Sequence, residues 1–433
     1  MRRTVVTLAT AAAAALALGL AACAPAGSTG SGSGSTGGSG NAGDVKPLVV
    51  WGWIQDDGWK AVTEAYNKTN PDVKVEYRGF KADEYNKVLQ TGLSGSSGPD
   101  VMMLRSYGGL ETLVASGVLA PVDDVAGLKD FAEPIKLGAT SRTDKKMYGV
   151  PFAIQTTNIQ YNKAIFAKYG IAEPTTWAEL TAAADKLQAA GITPFASTVK
   201  DSWMLPIVRD IFGAANYGGP AFATELLSGQ AKFTDSRYTK ANQTLLGLKK
   251  YMPKGVDGLS YTDAQTLFVS GKAAMWPGGI WDLATFRKQA PKMDIGLFNA
   301  PRSEGSGTAY AMGYVDGSWG LSAKTTGAKK DAALKYLGWL ASKNYGQLLS
   351  DQQLQLSAVP GVEPKDPLLL KASKLYAENP TPYLTYVNFD YGTPAGSTLE
   401  YDALQKMMLG RETPDQVGTD LDKGVSQWFK PQR

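Results

Sequence analysis

Leu48-Val49-Val50-Trp51, Val73-Lys74-Val75-Glu76-Tyr77 and Val101-Met102-Met103-Leu104 punctuate one stretch of chain, and their order decides the fold class. The first and third are short apolar runs of strand length. The second alternates apolar and polar residues with the period of a half-buried strand. Between the first two, Trp59, Val62, Ala65 and Tyr66 recur at helical spacing. Asn70-Pro71 ends that helix, because proline disfavours a helical conformation in the residue before it. A second helix is expected near Asp83–Thr91. Strands alternating with helices imply βαβ units and an α/β fold around a largely parallel sheet.

The same alternation continues beyond residue 150. Thr176-Trp177-Ala178-Glu179 has the spacing of a capping box, and Gly191 supplies the stop for the helix it opens. Ile192-Thr193-Pro194-Phe195 reads as a short strand. Ala273–Trp276 reads as another, followed by Gly278-Gly279 and a helix from about Ile280. Helices are expected over Ala328–Ala341, Leu368–Ala377, Leu399–Leu409 and Pro414–Phe429. A chain of 433 residues is too long for one compact core and suits two lobes.

Composition removes several function classes. There is no histidine, which excludes imidazole acid–base chemistry, His-dependent triads and His-ligated metals. The single cysteine, Cys23, can form no intrachain disulfide and no Cys/His zinc site, so only an all-oxygen metal site stays conceivable. No cofactor is expected. Lys and Arg total 44 against 40 Asp and Glu, a balance too even for a nucleic-acid-binding face.

The first residues read as an address. Arg2 and Arg3 precede an apolar run from Val5 to Leu20, the pattern of a secretory signal; the alternative is an uncleaved N-terminal membrane helix. Leu20-Ala21-Ala22-Cys23 resembles a bacterial lipobox, which implies lipidation of Cys23, removal of residues 1–22 and anchoring to the cell membrane through that lipid alone. Residues 23–46, mostly Gly, Ser, Ala and Thr, read as a flexible tether, since such a composition buries little apolar surface.

Three groups of motifs, in order, resemble the extracellular solute-binding protein family 1, the carbohydrate-binding receptors of ABC importers. They are Gly98-Pro99-Asp100-Val101-Met102-Met103 with Ser116-Gly117-Val118-Leu119; Lys146-Met147-Tyr148-Gly149-Val150-Pro151 with Tyr161-Asn162-Lys163 and Thr176–Leu180; and Phe268–Met275 with Gly278-Gly279. The resemblance implies a two-lobe periplasmic-binding-protein fold, each lobe a mainly parallel sheet flanked by helices and hinged by crossover segments. It implies crossings near Ala153–Thr156, Gly313–Gly317 and Tyr376–Pro380. The N-terminal lobe would then comprise 47–154 and 316–376, and the C-terminal lobe 155–315 and 377–433. The implied partners are a small-molecule carbohydrate and the transmembrane permease subunits of an importer, with the receptor itself a monomer that binds no nucleic acid.

Sugars offer hydroxyls and weakly polar C–H faces, so a site for them needs flat aromatic platforms and a few hydrogen-bonding groups. In open α/β sheets ligands sit beyond the carboxyl ends of strands. That rule favours Trp53, Gln55 and Asp56 after the first strand, and Arg105, Ser106 and Tyr107 after the third. Arg105 reads equally well as part of a solvated loop. Tyr107 stands where maltose-type receptors carry an acidic residue, which argues against a maltose-like hydroxyl pattern. Gln155 lies at the first crossing, where an amide can both donate and accept. Trp203 is a platform or part of a helix core. Trp276, Gly278, Gly279 and Trp281 combine two indoles with a glycine pair, expected to leave backbone N–H groups free at a helix start; the other reading of Trp276 is core. Asp316, at the return crossing, binds a hydroxyl or caps a turn. Phe389-Asp390-Tyr391 is a further candidate wall.

The sequence is also compatible with other readings. A receptor for a polyamine, a phosphate ester or an iron complex has the same architecture, and Asp56, Asp316 and Asp390 keep the polyamine in play. A lipid-anchored glycosidase needs two carboxyl groups about 5–9.5 Å apart, and no such pair is recognisable. A purely structural surface protein leaves the motif order unexplained. No catalytic residue is assigned.

Overall fold

The computed structural model describes residues 46–82, 84–305 and 309–431. The expected signal segment, Cys23 and the tether up to residue 45 lie outside the described residues. Along the chain, β1 (Leu48–Gly52), β2 (Val75–Gly79), β3 (Val101–Arg105), β4 (Leu119–Ala120) and β5 (Gly149–Pro151) build the first lobe. The second lobe takes β6 (Ala153–Asn162), β7 (Thr193–Phe195), β8 (Ala273–Gly279), β9 (Ile295–Phe298) and β10 (Ala311–Val315). The chain returns to the first sheet as β11 (Gly317–Ser322), and β12 (Leu356–Ser357) and β13 (Pro380–Pro382) complete the second. No helix among the described residues is long and apolar enough to cross a membrane.

Local chemistry accounts for many of these elements. The apolar runs of β1 and β3 lie inside the sheet, in the order β2-β1-β3-β11-β4, while alternating β2 is an edge strand with Val75 buried and Glu76 exposed. The Thr176 side chain accepts the Glu179 N–H and Glu179 answers at the Thr176 N–H, closing the capping box of the helix Trp177–Ala189. Gly191 follows that helix at φ +76, a conformation that suits glycine. The expected C-terminal helices are present as Gly327–Leu340, Pro367–Glu378, Gly396–Met408 and Pro414–Val425.

The sheets are mixed, not mainly parallel. β1 runs parallel to β2 and β3, but β11 is antiparallel to β3, β4 and β5. In the second lobe β6 is antiparallel to β8, β9, β10 and β12, and only β7–β8 and β10–β13 are parallel. The reason is the path: a strand that leaves one lobe and a strand that comes back must run in opposite directions where they meet.

Two apolar cores form. One gathers Trp59, Phe152, Trp319 and Tyr345; the other gathers Phe195, Phe212, Trp276 and Phe286. The connections between them lie side by side. Phe152 donates its N–H to Gly317 O (2.8 Å), Asp316 donates to Ala153 O (3.0 Å) and Ala358 donates to Phe152 O (3.2 Å). The third crossing is not at Tyr376–Pro380. The helix Pro367–Glu378 packs Leu369 and Ala372 into the second core, whereas Ala358 and Val359 belong to the first, so the chain leaves the first core for good between Val359 and Leu369. Periodicity located that helix, but which core its apolar face enters is a matter of tertiary packing.

Candidate functional site

Trp53 follows β1 and Arg105 ends β3, and the two stack: the guanidinium carbon lies 4.2 Å from the indole centroid. Arg105 is held there by Ala82 O (2.9 Å from Nη2) and Asn86 Oδ1 (3.3 Å from Nε). The Trp53 ring also rests on Gly317, where an added Cβ would come within 2.5 Å of the indole. One Trp53 face is thus covered by Arg105, and both residues stay partly exposed.

The neighbours of these residues do other work. Gln55 is the N-cap residue of the helix Asp56–Thr69 and is exposed; the Asp56 carboxylate accepts the Gly79 N–H. Ser106 is fully buried, and Tyr107 is only 5% exposed, which corrects the expectation that both point into the cleft. At φ +57 the Tyr107 backbone turns the side chain inward, where its hydroxyl accepts the Val315 N–H over 3.0 Å and its ring meets Tyr386 edge-on at 5.6 Å. Tyr107 therefore supports the return crossing.

At the crossings, the Gln155 Nε2 donates to Asp316 Oδ2 (3.1 Å) and to Gln355 Oε1 (2.9 Å). Gln155 is 1% exposed and its Oε1 has no hydrogen-bond partner among the described residues. Asp316 is half-buried. Desolvation raises its carboxyl above the usual range, with the Arg105 charge and the Gln155 bond acting in the opposite direction.

The second lobe supplies aromatic walls. Trp281 lies over Gly279, and a Cβ there would meet the indole at 1.8 Å. Its Nε1–H donates to Tyr261 OH (2.9 Å), and Tyr261 in turn donates to Asp282. Trp203 packs against Tyr261 at 4.8 Å, and Tyr314 lies 6.4 Å from Trp281 and 5.4 Å from Tyr386. Trp203, Tyr261, Trp281, Tyr314 and Tyr386 each keep part of their surface exposed. Burial pushes the Tyr314 and Tyr386 hydroxyls up, and the Arg105 charge partly offsets this, which links this wall to the first lobe.

Two expectations for this wall are corrected. Trp276 is 0% exposed: it belongs to the core and offers no face to a solute. Gly278 and Gly279 are not free amides at a helix start. They are the end of β8, paired with Asn158 and Thr157, and a short 3-10 turn Ile280–Asp282 precedes the helix Leu283–Gln289. The glycines matter through their missing side chains, which make room for the indoles. In the third candidate segment, Phe389 is core, Asp390 binds Ser397, and the Tyr391 ring lies under Arg142 of the first lobe at 3.3 Å.

The structure thus brings Trp53, Arg105, Gln155, Asp316, Trp203 and Trp281 into one region. It adds Tyr261, Tyr314, Tyr386 and Gln355, none of which stands in a motif of its own. Aromatic faces, one guanidinium and oxygen acceptors in a recess between lobes can hold a polar, uncharged solute by stacking and hydrogen bonding.

Comparison with known proteins agrees with this architecture. Residues 52–347 match the family model described as bacterial extracellular solute-binding protein. The multiple sugar-binding protein of Streptococcus mutans is 29% identical over 324 residues, 73% of this chain and 76% of that relative. A solved structure from work on xylan utilisation by Caldanaerobius polysaccharolyticus has a TM-score of 0.75 at 24% identity, covering 87% of this chain and 99% of that one. A bacterial solute receptor described as having an exclusive preference for β-D-galactopyranose has a TM-score of 0.77 at 20% identity, covering 89% and 99%. These two structures share the fold. By sequence and by fold, the chain belongs to the bacterial extracellular solute-binding protein family.

Proposed function

We propose that this protein is the lipid-anchored, extracytoplasmic receptor of an ABC importer and that it captures a sugar or oligosaccharide between its lobes without chemical turnover. The observation that carries the reading is the pairing of a partly exposed aromatic wall, Trp203, Tyr261, Trp281, Tyr314 and Tyr386, with the polar floor of Gln155 and Asp316. Sugars have the matching chemistry, with C–H faces for the rings and hydroxyls for the floor. A polyamine is a poorer fit: Asp56 is exposed and bound to the Gly79 backbone, and Asp390 is bound to Ser397, which leaves Asp316 as the carboxylate of the recess. The receptor is taken to act as a monomer, delivering its solute to the permease.

Thermal melts and calorimetric titration against galactose, raffinose, xylotriose and chitobiose test this reading. A bound sugar at a hundredfold excess over its Kd adds about 2.7 kcal/mol to stability. Stabilisation by spermidine, a sugar phosphate or a ferric chelate, with none by the neutral sugars, would transfer the protein to another solute class. Release of reducing ends from a bound oligosaccharide would make it a hydrolase.

A further inference from the structure

Gln355 lies outside every motif of the sequence, yet it completes a hydrogen-bonded triad with one residue from each of the first two crossings, at the point where β12 joins β6. Gln155 opens the β6 crossing, Asp316 lies between β10 and β11, and Gln355 immediately precedes β12. We propose that Gln355 is a positioning residue: it holds the Gln155 amide so that its carbonyl faces a ligand hydroxyl, and it couples that contact to the arrangement of the crossings. This inference rests on the sugar-receptor reading above.

The chemistry of the triad fixes its polarity. Gln155 turns its Nε2 toward Asp316, the orientation in which the carboxylate oxygen accepts. That places one Nε2 hydrogen on Asp316 Oδ2 and the other on Gln355 Oε1. Both donors of Gln155 are then engaged, and its Oε1 is left buried and unpartnered among the described residues. A buried acceptor without a donor is costly, and a hydroxyl arriving from a ligand relieves that cost. The floor therefore offers acceptors, Gln155 Oε1 and Asp316, and calls for a solute that donates. Neutral sugar hydroxyls do so, whereas a uronate carboxylate or a sugar phosphate brings further acceptors and a like charge to Asp316.

Gln355 is itself held firmly. Its Nε2 donates to Gln353 O over 3.3 Å, and the Gln353 side chain donates to Gly58 O at the start of the helix Asp56–Thr69. Leu354, between the two glutamines, adopts φ +50 and ψ +44, a left-handed conformation that a residue with a Cβ adopts only when its surroundings impose it. That turn ends the helix Lys343–Gln353 and directs Gln355 onto β6. β10 and β12 both pair with β6 in one sheet, so the triad ties these neighbouring strands together at the point where the chain passes between the lobes.

The test compares Gln355→Leu with Gln355→Glu in the full-length chain carrying Cys23→Ser, so that Lys60→Cys on the first lobe and Lys292→Cys on the second are the only thiols to label. Gln355→Leu should weaken whichever of galactose, raffinose, xylotriose or chitobiose the unaltered protein takes by about tenfold or more. It should also change the label-to-label distance distribution of the unliganded protein. Gln355→Glu keeps an acceptor for Gln155 but loses the bond to Gln353 O and adds a charge near Asp316, so it should lose less affinity and shift the distances less than Gln355→Leu, whatever either variant does to the melting temperature. Wild-type affinity and distances in Gln355→Leu, or equal losses in both variants, would overturn the proposal. If the unaltered protein takes none of these sugars, the sugar reading fails, and the unliganded distances alone decide whether Gln355 couples the crossings.

Discussion

The Trp276 indole donates its Nε1–H to Asp282 Oδ2 over 2.9 Å, and the two residues are 0% and 2% exposed. Asp282 also accepts from Tyr261 and Gln265, so a buried carboxylate gathers the core beneath the aromatic wall. Trp276→Phe keeps most of the ring and removes one donor. It should cost about 1–3 kcal/mol of stability in denaturant melts and leave sugar affinity within about threefold. A large affinity loss in a well-folded Trp276→Phe protein would return Trp276 to the solute's surroundings.

The same carboxyl predicts a pH dependence. Burial pushes Asp282 up to about 7 from its ordinary 3.8, against the bonds from Tyr261, Gln265 and Trp276 that lower it. A raised carboxyl means that the native state holds this proton more tightly than the unfolded chain. Its contribution to stability is present in full below the unfolded value and is lost as pH rises to about 7. Asp210 and Asp390 titrate in a similar range, so the informative quantity is a difference. Between pH 4 and 8 the wild type should lose about a few kcal/mol relative to Asp282→Asn, whose own cost does not vary with pH. Parallel stability profiles would show that Asp282 does not titrate there.

Gly279→Ala places a methyl group where the Trp281 ring now lies, 1.8 Å from the nearest indole carbon. The indole must swing away and lose its bond to Tyr261. Sugar affinity should fall about tenfold or more, with a stability loss of about 1–3 kcal/mol. Unchanged affinity would remove Trp281 from the wall that meets the solute.

Farther from the solute, Arg209, Asp210 and Glu400 are all 0% exposed, and Arg209 bonds Asp210 Oδ1 (2.9 Å from Nε), Tyr238 and Glu400. Burial lifts Asp210 to about 6 even though Arg209 draws it down. Glu400 also accepts from Thr385 (2.6 Å), on the short helix Leu384–Asn388 that carries Tyr386. Glu400→Gln leaves Arg209 with one formal counter-charge and should cost about 3–5 kcal/mol, read as a lowered denaturant midpoint.

The anchor is tested at Cys23. Cys23→Ser should release the protein from the membrane fraction or leave it with an uncleaved signal, and its mass should lack the acyl groups. Identical mass and retention in mutant and wild type would remove the lipid from the account.

What the sequence determined by itself is what neighbouring residues decide. Capping at Thr176 and Glu179, the stop at Gly191, the buried runs of β1 and β3 and the edge alternation of β2 depend on contacts a few residues apart. The identity of the fold was legible for a related reason, since several such motifs occur in one order. What only the tertiary structure decided is which side chains share a space. Trp276 and Trp281 flank the same glycine pair, yet one is core and the other wall, because the β8 pairing buries the first and the turn at Ile280–Asp282 folds the second back over Gly279. Tyr107 follows a strand end as a cleft residue should, but its positive φ and the Val315 N–H draw it inward. Gln155 and Gln355 are 200 positions apart and carry no local signal for each other. They meet because the crossings lie side by side, and no periodicity along the chain encodes that juxtaposition.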